Sequence, residues 1–141
     1  MTPDKITLIQ ESFAKVEPAA VQAGEAFYSR LFEIAPDVRP MFQGDMIEQA
    51  GKLMTTLGLV VKGLTDLPKI VPVAESLARA HVDFGVTADQ YAPVGAALID
   101  TLAEGLGEDF TAETQAAWEE AYGVLSAVMI KAAYGDAEAV A

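Results

Sequence analysis

Cysteine is absent from this 141-residue chain, and histidine occurs once, as His81. The first absence excludes disulfides, iron–sulfur clusters, thiolate zinc sites and cysteine nucleophiles. The second weighs against zinc or di-iron centres built from side chains alone, since there is no Glu-x-x-His or His-x-x-x-His spacing. Basic residues are scarce, nine against 21 acidic ones, for a net charge of −12. Duplex nucleic acid and anionic membrane surfaces both select clustered cations, so neither is an expected partner. No apolar run is long enough to span a bilayer. A Gly-x-Ser-x-Gly elbow, a Walker motif and a Gly-x-Gly-x-x-Gly loop are likewise missing. Residues Met1–Lys5 show no signal-peptide pattern, and a soluble, cytoplasmic protein is expected.

What is present reads as helix from end to end. Hydrophobic residues make up 52% and charged residues 21%, enough for a buried core in a single domain over residues 1–141. Thr2-Pro3-Asp4 is a cap with proline in the first turn, and Ile6, Ile9, Phe13 and Val16 follow at helical spacing. Pro18 opens a second helix carrying Phe27, Tyr28, Leu31 and Phe32. Ala35-Pro36 breaks it, because proline disfavours helix at the residue before it. A short helical piece through Val38 and Phe42 ends at Gly44. The next helix runs from about Asp45 to Lys62, and another opens at Asp66 and Pro68, reaching His81. Thr87 and Gln90 have capping-box spacing ahead of a helix that Gly107 stops. Thr111 caps the last helix, which runs past Trp118 and Tyr122 to about Ala133. Strand alternation is absent. The class is all-α, about seven helices, and their unequal lengths suit steep crossings around a pocket.

Three features carry candidate chemistry. Val73, Leu77 and His81 share one helix stripe, which could lay apolar side chains against a flat ligand and aim the imidazole at its centre. Taken alone, the spacing more often marks a satisfied, partly buried histidine. Gln49 leads an apolar stripe through Leu53, Leu57 and Val60, or is simply a solvated glutamine near a helix end. Tyr28 lies in an apolar helix, where a buried hydroxyl needs a partner.

Together these segments resemble bacterial haemoglobins. Phe27–Phe32 and Pro36–Phe42 look like the second and third helices of those proteins, and Gln49–Met54 looks like their distal helix. Arg79–Val86 resembles their proximal histidine segment, while Gln90–Gly95 and Ala117–Gly123 resemble their last two helices. The nearest group is the single-domain, thermoglobin-like haemoglobins related to flavohaemoglobins. The resemblance implies a globin fold holding haem b (iron protoporphyrin IX), with His81 as the iron ligand and Phe42 packed on the ring. It implies Tyr28, Gln49 and Leu53 as the distal residues and Pro36 as the corner proline. It also places Leu77, Phe84, Val86, Tyr91 and Val94 around the cofactor, with Lys52 or Arg79 in reach of a propionate.

The implied function is reversible O₂ binding with high affinity, for storage, transport or delivery, with NO and CO as further ligands. Hydrogen bonds to charged groups are worth about 1.5–3 kcal/mol. A buried phenol or amide beside a ligand that draws negative charge therefore slows its release, whereas the less polar CO gains less. Alternatives are NO dioxygenation with an external reductase, and gas sensing. One departure stands out. The glutamate that partners the proximal histidine and tyrosine in flavohaemoglobin relatives should fall at Ala133. Its loss speaks against peroxidase-like chemistry and leaves the His81 ring N–H to find a backbone carbonyl or another group.

Overall fold

The computed structural model describes residues 2–42, 44–83 and 90–134. Within them lie six α-helices: α1 (Pro3–Val16), α2 (Ala20–Ile34), α3 (Met46–Lys62), α4 (Leu67–Asp83), α5 (Tyr91–Leu106) and α6 (Ala112–Tyr134). Four 3-10 segments join or precede them, at Glu17–Ala19, Pro36–Met41, Gly63–Thr65 and Gly107–Asp109. No strand occurs among the described residues. The short piece expected through Val38 is the 3-10 segment Pro36–Met41, and Pro18 sits inside a 3-10 turn ahead of α2.

The caps follow local chemistry. Thr2 Oγ1 accepts from Lys5 N at 3.3 Å, Asp45 Oδ1 from Ile47 N at 2.8 Å, and Thr111 Oγ1 from Thr114 N at 3.1 Å. Each satisfies an amide that a helix start otherwise orphans. Ala35, at φ −134° and ψ 75°, leaves the helical region just before Pro36. Gly107 ends α5 at φ 55°, a conformation that a Cβ would strain. The α-helical part of α5 begins at Tyr91, preceded by Gln90, whose side chain makes no cap. The capping residue expected there, Thr87, lies outside the described residues.

A first core layer gathers Ile9, Phe13 and Val16 of α1, Met54 and Val61 of α3, Leu102 and Leu106 of α5, and Trp118 of α6. Its buried indole N–H donates to Ser12 Oγ at 2.8 Å, and the hydroxyl passes the bond to Leu8 O at 2.7 Å. A second layer surrounds Tyr28 at the crossing of α2 with α3 and α5, and a third lies between α4 and α6.

The α2–α3 crossing is unusually close. A Cβ on Gly24 would stand 2.7 Å from Ala50 Cβ and 2.9 Å from Ala50 O, so glycine is required for the two backbones to meet. Gly24 lies one turn before Tyr28 and Ala50 is next to Gln49. The crossing therefore sets the distance between those two polar side chains. Helix α3 rests on α2, whereas α4, reached through Gly63–Thr65, rests on α6. Consecutive helices thus take different partners and diverge.

Candidate functional site

The site grows from that divergence. On the α3 side, Gln49 is half-buried and its Nε2 donates to Tyr28 Oη at 3.4 Å. The bond is long, at the weak end of the usual range, so either group can turn to a third partner. Tyr28 is only 6% exposed. Burial pushes its phenol above the ordinary value of 10, and the Gln49 contact lowers it by a smaller amount. The hydroxyl therefore keeps its proton, and remains a donor, across the whole neutral range.

Aromatic rings frame this pair. Phe27 meets the Tyr28 ring edge-on at 5.0 Å, Phe42 does so at 5.1 Å, and Phe32 stacks on it at 6.0 Å. Leu53, Phe42 and Val94 are only partly covered as they pack on this cluster. Pro36 opens the segment that brings Phe42 back against α2.

On the α4 side, His81 is half-buried, and its Nδ1 lies 2.6 Å from Leu77 O, one turn back. A carbonyl can only accept, so Nδ1 carries a proton, and in the neutral imidazole the lone pair lies on Nε2. Of the partners left open for the ring N–H, the structure shows a backbone carbonyl, from the same stripe. The stripe itself is uneven: Ala74 and Ala78 are the buried contacts towards α6, Leu77 is half-covered, and Val73 is 37% exposed.

Helix α5 ties the two sides together. Tyr91 is buried with its ring 6.2 Å from that of His81. Val94, three residues on, belongs to the Tyr28 cluster. Three residues advance a helix by about 4.5 Å, so imidazole and phenol flank one short stretch of the same helix. The Tyr91 carbonyl accepts from Tyr122 Oη at 2.5 Å, and burial, then the neighbouring Tyr91, raises the Tyr122 phenol. Gly95 makes room for this ring, because a Cβ there would meet Tyr122 Cε2 at 2.6 Å. Ala133 lies at the edge of the same apolar cluster as Leu77 and Tyr91.

Two further expected residues face solvent. The Lys52 ammonium stands 3.8 Å from Glu48 on a side chain that is 69% exposed, and Arg79 is exposed as well. Phe84 and Val86 lie outside the described residues. Three residues not expected at the site also shape it: Gly24 at the crossing, Phe32 stacked on Tyr28, and Arg39, whose guanidinium lies 5.0 Å over the Phe32 ring. Only the small size of Gly24 and Ala50 hints at the first.

The donor set constrains the ligand. Among the described residues, no group of three or more His, Asp or Glu could hold a bare metal ion. One imidazole with a defined lone pair, half-covered Leu53, Leu77, Phe42 and Val94, and a Tyr–Gln pair on the other side fit a flat, largely apolar group that brings its own metal ligands. No helix among the described residues is long and apolar enough to cross a membrane.

Comparison with known proteins agrees with this geometry. The globin family profile matches residues 25–129. A flavohemoprotein of Bordetella parapertussis is 36% identical over 122 residues, which cover 80% of this chain and 30% of that protein. The chain thus spans about a third of the length of the flavohemoproteins it matches. A neuroglobin of Dissostichus mawsoni is 29% identical over 136 residues, covering 86% of each chain. The solved bacterial globin from Campylobacter jejuni superposes with a TM-score of 0.82 at 25% identity, over 94% of this chain and 96% of its own. This chain belongs to the globin family, whose members bind haem and, through it, diatomic gases.

Proposed function

We propose that the chain holds haem b through His81 and binds O₂ reversibly and tightly. The observation that carries this reading is the pairing of a buried, proton-keeping Tyr28 with Gln49 on one side of α5 and a lone-pair-bearing His81 on the other. Haem, when bound, supplies the iron at which a gas is held. The rest falls to the protein. His81 Nε2 would ligate, oriented by the Leu77 carbonyl. Phe42, Leu53, Leu77 and Val94 would cover the ring faces and keep water out. Phe84 and Val86 belong to the same proposal by resemblance. Tyr28 and Gln49 would donate to a ligand atom that draws negative charge. A propionate would have to compete with Glu48 for Lys52, so Arg79 is as good a counter-ion.

The carbonyl partner of His81 and the apolar packing between α4 and α6 support a gas binder over an oxidative enzyme. No acid reaches the imidazole N–H among the described residues, and the carbonyl that does is a weaker base than a carboxylate. The protein would work in the cytoplasm, with NO and CO as further ligands.

Stopped-flow release kinetics test the assignment. Tyr28→Phe is expected to speed O₂ release about ten- to hundredfold and CO release far less. Unchanged or slower O₂ release would remove Tyr28 from the site. A second reading rests on the flavohemoprotein likeness: NO dioxygenation, with electrons from an external reductase. It requires nitrate formation that cycles when NADH and a reductase are added. A single turnover that cannot be renewed leaves the carrier reading standing.

A further inference from the structure

Tyr28 has a second aspect. Its ring also lines a surface groove of about 370 Å³, together with Glu25, Ser29, Phe32, Arg39 and Met46. Tyr28 thus touches both this groove and Gln49, which does not itself line the groove. One exposed side chain spans the wall on the groove side. Arg39 lies with its guanidinium 5.0 Å over Phe32, and its Nη1 donates to Phe42 O at 2.9 Å. Phe32 and Phe42 are the two rings that brace Tyr28, and they stand 5.5 Å from each other. Arg39 is exposed, and a ring and a carbonyl hold it rather than a carboxylate. It is thus a surface clasp across the two braces of the distal tyrosine, with contacts that solvent competes for.

We propose that this groove is the route by which small uncharged ligands reach the cleft behind Tyr28, and that Arg39 is its latch. The inference rests on the gas-binding reading above. Two aromatic rings and the Met46 thioether pass an uncharged diatomic at little cost. Release of Arg39 frees Phe32 and Phe42 together, and with them the Tyr28 ring.

A route leaves a kinetic signature that a binding contact does not. It scales association and dissociation by the same factor and leaves the affinity alone. CO is the probe, because it gains least from the Tyr28 hydroxyl and so reports passage rather than hydrogen bonding. The haem-loaded protein is checked first by its Soret band, and the haem-free variants by urea unfolding. Met46→Trp, which fills the groove, is expected to slow CO association and dissociation equally, by about fivefold. Ser29→Trp enters the same groove from an exposed helix position and serves if the first variant does not fold. Arg39→Ala is expected to speed both rates by about threefold, and Arg39→Lys to lie between it and the parent. Rates unchanged by both tryptophans would overturn the route. A shift in one rate alone, and hence in affinity, would place these residues at the binding site and overturn it too. A parent protein that takes up no haem would overturn the gas reading, and the route with it.

Discussion

The two sides of the site are built on different principles. The Tyr28 side is polar at its centre and aromatic around it: a phenol, an amide and three rings converge where α2 and α3 meet at Gly24 and Ala50. The His81 side is plain. A backbone carbonyl orients the imidazole, and alanines, leucines and Met129 fill the space towards α6. On the proposed reading, specificity for a ligand would lie on the first side and a fixed anchor on the second. A carboxylate beside His81 would shift that division, because a stronger base on Nδ1–H makes the imidazole a stronger electron donor. Ala133 leaves the position without one.

Three substitutions or conditions would break or sharpen this contrast. Gly24→Val should have the largest effect, since the added side chain meets the Ala50 backbone and not a yielding side-chain tip. We expect a loss of about 1–3 kcal/mol of stability in urea unfolding, together with faster O₂ release as Tyr28 and Gln49 are pushed apart. Normal stability would mean that the crossing is looser than described. Ala133→Glu should erase part of the difference between the two sides. Its expected readout is a fall in the haem reduction potential on the order of tens of millivolts, with O₂ release changing less than in Tyr28→Phe. An unchanged potential would show that residue 133 does not act on His81.

The smallest effect is alkaline. Folding raises the phenols of Tyr28 and Tyr122, so the folded state holds their protons more tightly than the unfolded chain does. The stability they contribute is complete below about pH 10, the ordinary phenol value. It is lost as pH rises beyond that towards their folded values. The urea midpoint of the haem-free protein should fall above pH 10, and Tyr122→Phe should fall less steeply. A midpoint in the variant that falls just as steeply would contradict the burial of that phenol.

Local features of the fold were legible in the sequence and distant ones were not. Thr2, Thr111 and Gly107 mark helix ends through chemistry that acts within a few residues, and the structure uses each as read. The His81–Leu77 bond is just as local, but the sequence left the partner of the ring N–H open. The Gly24–Ala50 contact spans 26 residues of chain, and helical periodicity carries no information about which helices cross or how closely. Arg39 was invisible for a similar reason: its roles depend on a ring of α2 and a carbonyl beyond the 3-10 segment, neither of which a charge pattern announces. Lys52 is open in sequence between a propionate and solvent, because one helix offers several faces, and the structure adds Glu48 as its neighbour in space.

Hemin titration tests the central claim most directly. The account predicts that the haem-free chain takes up one equivalent of hemin with a sharp Soret band, and that His81→Ala loses the band or shifts and weakens it, while Tyr28→Phe retains it. A parent chain with no band, or a His81→Ala protein whose band and affinity match the parent, would contradict it.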